Sequence, residues 1–150
     1  MTNTVPPNSR SQDNDGEWLQ TRPGERCLIR VPGSDTDGTY SLVEIISSPG
    51  DGTPMHVHDL EDEHIIVLKG IARVAYGDDI FDAHAGATVT LRKGIPHAWG
   101  NRSDSQLHIA VLAFPGGCEQ VLRLMTAARE ADIPALAAGF RVRPVGLAPF

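Results

Sequence analysis

Residues 50–70, GDGTPMHVHDLEDEHIIVLKG, and residues 86–101, GATVTLRKGIPHAWGN, together contain four of the six histidines of this 150-residue chain. In the first stretch His56 and His58 are two residues apart, and Glu63 follows five residues later. Residues two apart on an extended strand project to the same face, so both imidazoles can reach one ion. We expect the turn after His58 to return the chain antiparallel, as a hairpin, with Glu63 opposite the histidine pair.

His97, in the second stretch, would complete this set from a second hairpin. Three neutral imidazoles and one carboxylate suit a divalent transition metal, one of Fe, Mn, Ni, Co, Cu and Zn, and leave positions for water or substrate. The remaining three histidines are not expected to be metal ligands. His64 follows Glu63 directly, so strand alternation sends it to the other face, and His84 and His108 have no partners at ligand spacing. The predicted metal ligands are His56, His58, Glu63 and His97.

The same alternation predicts the surroundings of the ion. Ile65 and Val67 share the face of Glu63, and Trp99 shares the face of His97, which predicts a mostly apolar substrate pocket. Trp99 could stack on a flat substrate or simply fill the interior, and the sequence favours neither.

Composition excludes several classes of protein. The net charge is −6, and no run of lysine or arginine is present, so nucleic acid and anionic membranes are not expected partners. No apolar run is long enough to span a bilayer, and no nucleophile elbow, phosphate loop or dinucleotide fingerprint appears. We expect a cytoplasmic protein. Cys27 and Cys118 are far apart, which in a reducing compartment favours free buried thiols.

Most of the chain consists of short β-branched and apolar runs that end at Gly, Pro or Asp, which predicts an antiparallel sandwich or barrel. A helix is predicted over residues 118–130, and a second helix would be capped by Asp132, carry Pro134 in its first turn and end at Gly139. The predicted organisation is a disordered tail (1–16), a β domain (17–117) and a helical extension packed on it (118–150). The predicted strands are 26–31, 40–47, 55–58, 63–69, 72–76, 80–83, 88–91, 97–99 and 107–114.

The two quoted stretches closely resemble the two signature motifs of the cupin superfamily, through Gly50, His56, His58, Glu63, Gly70, Gly86, Gly94, Pro96, His97 and Asn101. The spacer between the motifs and the segment 115–138 are similar to those of small single-domain bacterial cupins grouped with quercetin dioxygenases. The resemblance implies an all-β fold, an antiparallel jelly-roll β-barrel with a metal inside it, and frequent formation of homodimers. Arg92 departs from the motif, where the family usually has proline.

From the resemblance we expect a metal-dependent, quercetinase-like dioxygenase acting on a small aromatic or enol-type substrate, with Glu63 both ligating the ion and accepting the substrate's hydroxyl proton. Because cupins host many reactions, the fold alone does not settle the chemistry. Two alternatives stay open. One is a redox-neutral isomerase, lyase or hydrolase that uses the ion as a Lewis acid, and the other is a non-catalytic module that binds metal or a small ligand. The expected partners are a small-molecule substrate and a second copy of the chain.

Overall fold

The computed structural model describes residues 16–150, so the tail predicted over residues 1–16 lies, apart from Gly16, outside the described residues. The described chain forms eleven strands and two short α-helices. The strands are β1 (Leu19–Arg22), β2 (Glu25–Val31), β3 (Ser41–Ser47), β4 (Met55–His58), β5 (Asp62–Lys69), β6 (Ile71–Tyr76), β7 (Asp79–His84), β8 (Thr88–Leu91), β9 (His97–Gly100), β10 (Leu107–Phe114) and β11 (Val142–Gly146), and the helices are α1 (Gln120–Met125) and α2 (Ile133–Gly139).

Two antiparallel sheets face each other and close into a jelly-roll barrel, as expected. One sheet has six strands in the order β1-β2-β3-β10-β5-β8, and the other has five in the order β11-β4-β9-β6-β7. Alternation produces the core between them. In β5, for example, Ile65 and Val67 are fully buried, whereas Leu68 is exposed. The inward side chains of both sheets form one hydrophobic cluster that includes Cys27, Ile109 and Trp99.

The nine predicted strands are all present, with ends within one residue of those predicted. Two further strands were not predicted. The four-residue β1 is too short to show a periodic pattern and is fixed by pairing with β2. The segment containing β11 was assigned to the helical extension, and it includes Pro144, which cannot donate a backbone hydrogen bond to a sheet. The strand forms nevertheless because it pairs with β4 at the edge of the five-stranded sheet, where proline is tolerated.

The expected hairpin between the histidine pair and Glu63 is wrong. β4 and β5 lie in different sheets, and the chain crosses from one sheet to the other between them. β4 cannot pair with β5 because both of its edges are occupied, one by β9 and the other by β11. Glu63 therefore approaches the histidines from the facing sheet, while His97 lies beside His56 within one sheet, paired in register.

The helical extension also differs from the prediction. The first helix covers only Gln120–Met125, and Arg129 adopts an extended conformation before the next helical turn. The second begins after Asp132 and ends at Gly139, as expected, but the Asp132 side chain does not cap it. Its carboxylate instead accepts a hydrogen bond from Arg129 Nε at 2.8 Å. Leu122 of α1 packs against the hydrophobic cluster.

None of the helices in the described residues is long and apolar enough to cross a membrane.

Gly70 and Gly94, which occupy motif positions, both adopt positive φ, at 86° and 78°. Their surroundings differ. A Cβ added at Gly70 would meet Gln106 O at 2.6 Å, whereas one added at Gly94 would meet nothing within 4 Å. An alanine at Gly94 would therefore introduce backbone strain alone, whereas an alanine at Gly70 would introduce both backbone strain and a steric clash.

We expect Gly94→Ala to lower the free energy of unfolding by about 1–2 kcal/mol, the cost of positive φ for a residue with a Cβ. Gly70→Ala should cost about 3 kcal/mol or more, since the backbone of the neighbouring strand must also move. Urea denaturation of the two variants beside the wild type measures the difference. Equal losses would contradict the role assigned to the close approach at Gly70.

Candidate metal centre

Four side chains from three strands converge inside the barrel. β4 supplies His56 and His58, β9 supplies His97, and β5 supplies Glu63 from the facing sheet. One potential ligand atom from each lies within 4.8 Å of those of the other three. The structure thus brings together the four residues that the sequence proposed as ligands.

Glu63 lies at the middle of this cluster. Its Oε2 is 3.0 Å from His97 Nε2, and its Oε1 is 3.4 Å from His58 Nε2. The rings of His58 and His97 are stacked, with centroids 5.5 Å apart, and the ring of His56 meets that of His97 edge-on at 4.5 Å. His58 and His97 are buried, whereas His56 and Glu63 are only mostly so, with the Glu63 side chain 13 % exposed.

In each of the three cluster imidazoles, the nitrogen that faces away from the cluster, Nδ1, has a hydrogen-bond acceptor. A carbonyl oxygen can only accept, so an Nδ1 that binds one carries the proton, and Nε2 is left to face the cluster. The acceptors of His56, His58 and His97 are, in that order, Pro54 O at 2.8 Å, Glu61 Oε2 at 3.1 Å and Ile95 O at 3.2 Å.

Local chain geometry holds the two motifs together. Gly94 N donates to His58 O at 2.8 Å, which joins the end of β4 to the turn before His97. On the other side of β4, Asp59 N donates to Arg141 O, and the Arg143 guanidinium binds the Asp59 carboxylate. The end of the strand that carries both histidines is therefore tied down from two directions.

Burial and charge act in opposite directions on the titratable groups. Burial alone would raise the pKa of Glu63, but the neighbouring imidazoles, His58 first, lower its pKa to about 2. Burial and the charge of His97 lower the pKa of His56 to about 4. Burial also opposes the charge on His58, but the carboxylates of Glu63 and Glu61 outweigh it and raise the pKa of His58. The metal-free cluster thus holds an ionised carboxylate against imidazoles of unequal basicity.

This donor set fits a divalent transition metal. Imidazole nitrogen and carboxylate oxygen are ligands of Fe, Mn, Co, Ni, Cu and Zn, and four protein donors leave room for further ligands in a six-coordinate ion. The ionised Glu63 supplies one negative charge, and the Nδ1 acceptors orient the three Nε2 atoms. The cluster can therefore hold a metal ion, whose identity the donors do not fix.

The proposed pocket residues lie in the core. Ile65 and Val67 are on the face of Glu63, as alternation required, and they are completely buried. Trp99 is 5 % exposed, and the Arg22 guanidinium lies 5.8 Å from its ring centroid. A surface cleft lined by Ile71, Arg73, Asp82, Arg102 and Ser103 is at the far end of β6 from the cluster.

The three other histidines stay out of the cluster. His64 points to the outer face, where its Nδ1 is 2.8 Å from Thr90 Oγ1, and His84 is exposed on β7. His108 Nε2 lies 3.0 Å from Glu44 Oε1. Both cysteines are free and buried, as expected.

Sequence reasoning missed one group beside the cluster. His58, Glu61 and Cys118 are all buried, and their potential ligand atoms lie within 4.8 Å of one another. Glu61 falls in the stretch taken for a plain turn, and Cys118 is 57 residues further along the chain. The one sequence signal for this group was that Glu61 follows His58 by only three residues. It was easy to miss because the surrounding residues are acidic and typical of an exposed turn.

These features define a class of protein: a jelly-roll barrel with a His₃Glu cluster inside it. The family model described as Cupin domain (Cupin_2) matches residues 43–113, which contain all four cluster residues. Residues 43–113 therefore form a cupin domain.

Solved structures share this fold at low sequence identity. KdgF from Halomonas sp. has a TM-score of 0.64 and 15 % identity, covering 73 % of this chain and 96 % of that one. The polyketide cyclase RemF from Streptomyces resistomycificus has a TM-score of 0.62 and 21 % identity, covering 70 % and 78 %. A sugar phosphate isomerase from Silicibacter pomeroyi has a TM-score of 0.61 and 17 % identity, covering 70 % and 75 %. At these identities the likeness concerns the fold alone.

Among curated proteins, mannose-1-phosphate guanylyltransferase 2 of Escherichia coli O157:H7 is 28 % identical over 85 residues, or 57 % of this chain. The matched region is 18 % of that protein's length.

We predict that the imidazoles of the metal-free protein titrate separately. His56 should stay neutral until the pH falls to about 4, while His58 should take up its proton at a higher pH than an ordinary imidazole, because its pKa is raised. Nitrogen-15 NMR of the imidazole side chains, assigned with single His→Gln variants, measures both. A His56 that titrates above His58 would contradict the electrostatic description of the cluster.

Proposed function

We propose that this protein is a metal-dependent dioxygenase that acts on a small aromatic or enol-type molecule. The observation that carries the proposal is the set of three imidazoles, each with its Nδ1 directed at an outer acceptor, that surround one ionised carboxylate. The surrounding barrel wall is apolar, which suits a flat organic substrate better than a heavily hydrated one.

His56, His58, Glu63 and His97 would hold the ion. When bound, a redox-active ion of this kind supplies Lewis acidity toward a substrate oxygen and a means of reaction with dioxygen. The substrate would approach on the side of His56 and Glu63, because these two side chains are the partly exposed ones. Ile65, Val67 and Trp99 would form the apolar wall behind the ion and exclude water from it.

Glu63 would accept the hydroxyl proton of the substrate. In the metal-free protein the neighbouring imidazoles lower the pKa of Glu63 to about 2, which makes this carboxylate a weak base there. Enols and phenols are more acidic than aliphatic alcohols. Such hydroxyls therefore lose their proton to a weak base more readily than aliphatic alcohols do.

His58→Ala should abolish tight metal binding while the barrel stays folded. Removing a ligand should weaken affinity by more than the roughly 10–100-fold typical of losing an outer partner. His64→Ala is the matched control, since that histidine lies on the same barrel but points outward. Isothermal titration with Ni²⁺ or Co²⁺, with circular dichroism as the check of folding, measures the effect. Equal loss in both variants would contradict the assignment of His58.

Binding should also weaken as the pH falls. The pKa of His58 is raised in the metal-free protein, so an ion must displace its proton, and acid favours the protonated form.

Dioxygen dependence tests the reaction type. With a flavonol or another enol-bearing aromatic compound as substrate, we expect one dioxygen consumed per substrate molecule and no turnover under anaerobic conditions. Oxygen-electrode measurements beside product analysis follow both quantities, with the His58→Ala protein as the blank. Turnover that continues unchanged without oxygen would rule out a dioxygenase.

Redox-neutral chemistry, as in an isomerase, lyase or hydrolase, is the second candidate. The donor set also suits Zn²⁺, which has no redox chemistry, and the similar folds include a protein named a sugar phosphate isomerase. Full activity of the Zn²⁺-loaded protein would favour this candidate over a dioxygenase. A well-metallated protein that binds compounds but converts none of a broad panel would instead support a non-catalytic binding module.

We further propose that the protein works as a homodimer in the cytoplasm on a small-molecule substrate, without nucleic acid or membrane partners. Two observations support these points. Ile80 and Phe81 are exposed apolar side chains on β7, at the edge of a sheet, where a second copy could cover them. Cys27 and Cys118 are buried free thiols, which suits a reducing compartment.

A further inference from the structure

The outer acceptors of the three cluster imidazoles are not alike. His56 and His97 donate from Nδ1 to neutral backbone carbonyls, those of Pro54 and Ile95. His58 instead faces the carboxylate of Glu61, with Nδ1 3.1 Å from Oε2. A carboxylate makes a stronger, charge-assisted hydrogen bond than a carbonyl does. The hydrogen bond at Nδ1 is therefore stronger for His58 than for His56 or His97.

Glu61 is an unusual residue to find in this position. It is 4 % exposed although it belongs to the connection between two sheets, where acidic side chains are normally solvated. Burying a carboxylate is costly, and a buried ion pair is weak evidence for stability because the desolvation cost offsets the attraction. The contact with His58 therefore calls for an explanation other than stability of the fold.

We propose that Glu61 is the positioning residue of His58. Its carboxylate accepts the Nδ1–H hydrogen bond, fixes the ring orientation and the tautomer, and so presents the Nε2 lone pair of His58 to the metal centre. The inference rests on the proposed metal binding and adds to it a residue that does not touch the ion. Partners of this kind also raise the basicity of a ligating imidazole.

Cys118 completes the surroundings of Glu61. Its sulfur lies within 4.8 Å of ligand atoms of both Glu61 and His58, in a site where all three residues are buried. Burial and the nearby carboxylates, that of Glu63 first, raise the pKa of Cys118, so the group beside Glu61 is a neutral thiol. The thiol fills space next to the carboxylate without adding a second negative charge. Glu61 is consequently the charged partner on the outer side of His58.

Glu61→Leu and Glu61→Gln separate orientation from charge. Leucine removes the acceptor, so we expect Co²⁺ or Ni²⁺ affinity to fall by about 10–100-fold. Glutamine keeps a carbonyl oxygen that can accept from Nδ1, and it should recover much of this loss. Glu44→Leu is the matched control, because Glu44 pairs with an imidazole, that of His108, outside the cluster at 3.0 Å. Thermal unfolding of the metal-free variants shows whether any loss reflects stability instead.

A second readout requires no metal, and its decisive part uses the wild type alone. Nitrogen-15 NMR of the metal-free wild type, recorded at a pH where His58 is neutral, reports which ring nitrogen carries the proton. We expect Nδ1–H, with the preference lost in Glu61→Leu and retained in Glu61→Gln. A neutral His58 protonated at Nε2 in the wild type would overturn the proposal even if Glu61→Leu fails to fold.

The outcomes also separate this inference from the proposed function. If the wild type binds no metal, the proposed function fails, and the tautomer measurement alone judges Glu61. If the wild type binds metal and folded Glu61→Leu binds it equally well, the positioning role fails while the metal site stands. If the wild type binds two equivalents and both Glu61→Leu and Cys118→Ser bind one, then His58, Glu61 and Cys118 form a metal site of their own, and the positioning role is overturned.

Discussion

The pairing of β4 with β9, which sets His56 opposite His97, is the constraint on which the site depends. Side chains alternate along strands, so a slip of one residue in either strand would turn its histidines away from the barrel interior. The register is protected by contacts on both sides of β4. Gly94 N binds His58 O, and β11 pairs along the other edge. The C-terminal strand, distant in sequence from both motifs, is therefore part of what keeps the histidines in place.

Electrostatics adds a second constraint. Glu63 comes from the facing sheet and enters a group of imidazoles, where it stays ionised despite its burial because the imidazoles offset the cost. The outward acceptors then determine which nitrogen of each ring is available inside. To bind an ion, the four side chains must converge on one point, and each imidazole must have its unprotonated nitrogen facing that point. The cluster meets both requirements. Together they explain why the cluster suits a cation better than any other occupant.

The sequence was sufficient for nine of the eleven strands and for the four cluster residues, because alternation and the spacing of the two motifs are local properties. Which strands pair with which is not local. Two consecutive strands separated by a short turn favour a hairpin, yet β4 and β5 belong to different sheets since the edges of β4 are already occupied. For the same reason β11 was not predicted as a strand. The contact of Cys118 with the Glu61 region likewise depends on how the chain returns after β10.

The fold accommodates many reactions, so the chemistry of the site has to be established from the site itself. We propose that His56, His58, Glu63 and His97 bind one transition-metal ion inside the barrel. Anomalous X-ray diffraction from crystals of the metal-loaded protein, collected on both sides of the absorption edge of that metal, tests this most directly. We expect one strong peak enclosed by the three Nε2 atoms and a Glu63 oxygen. A peak elsewhere, or well-ordered ligand side chains in metal-loaded crystals with no peak between them, would contradict it.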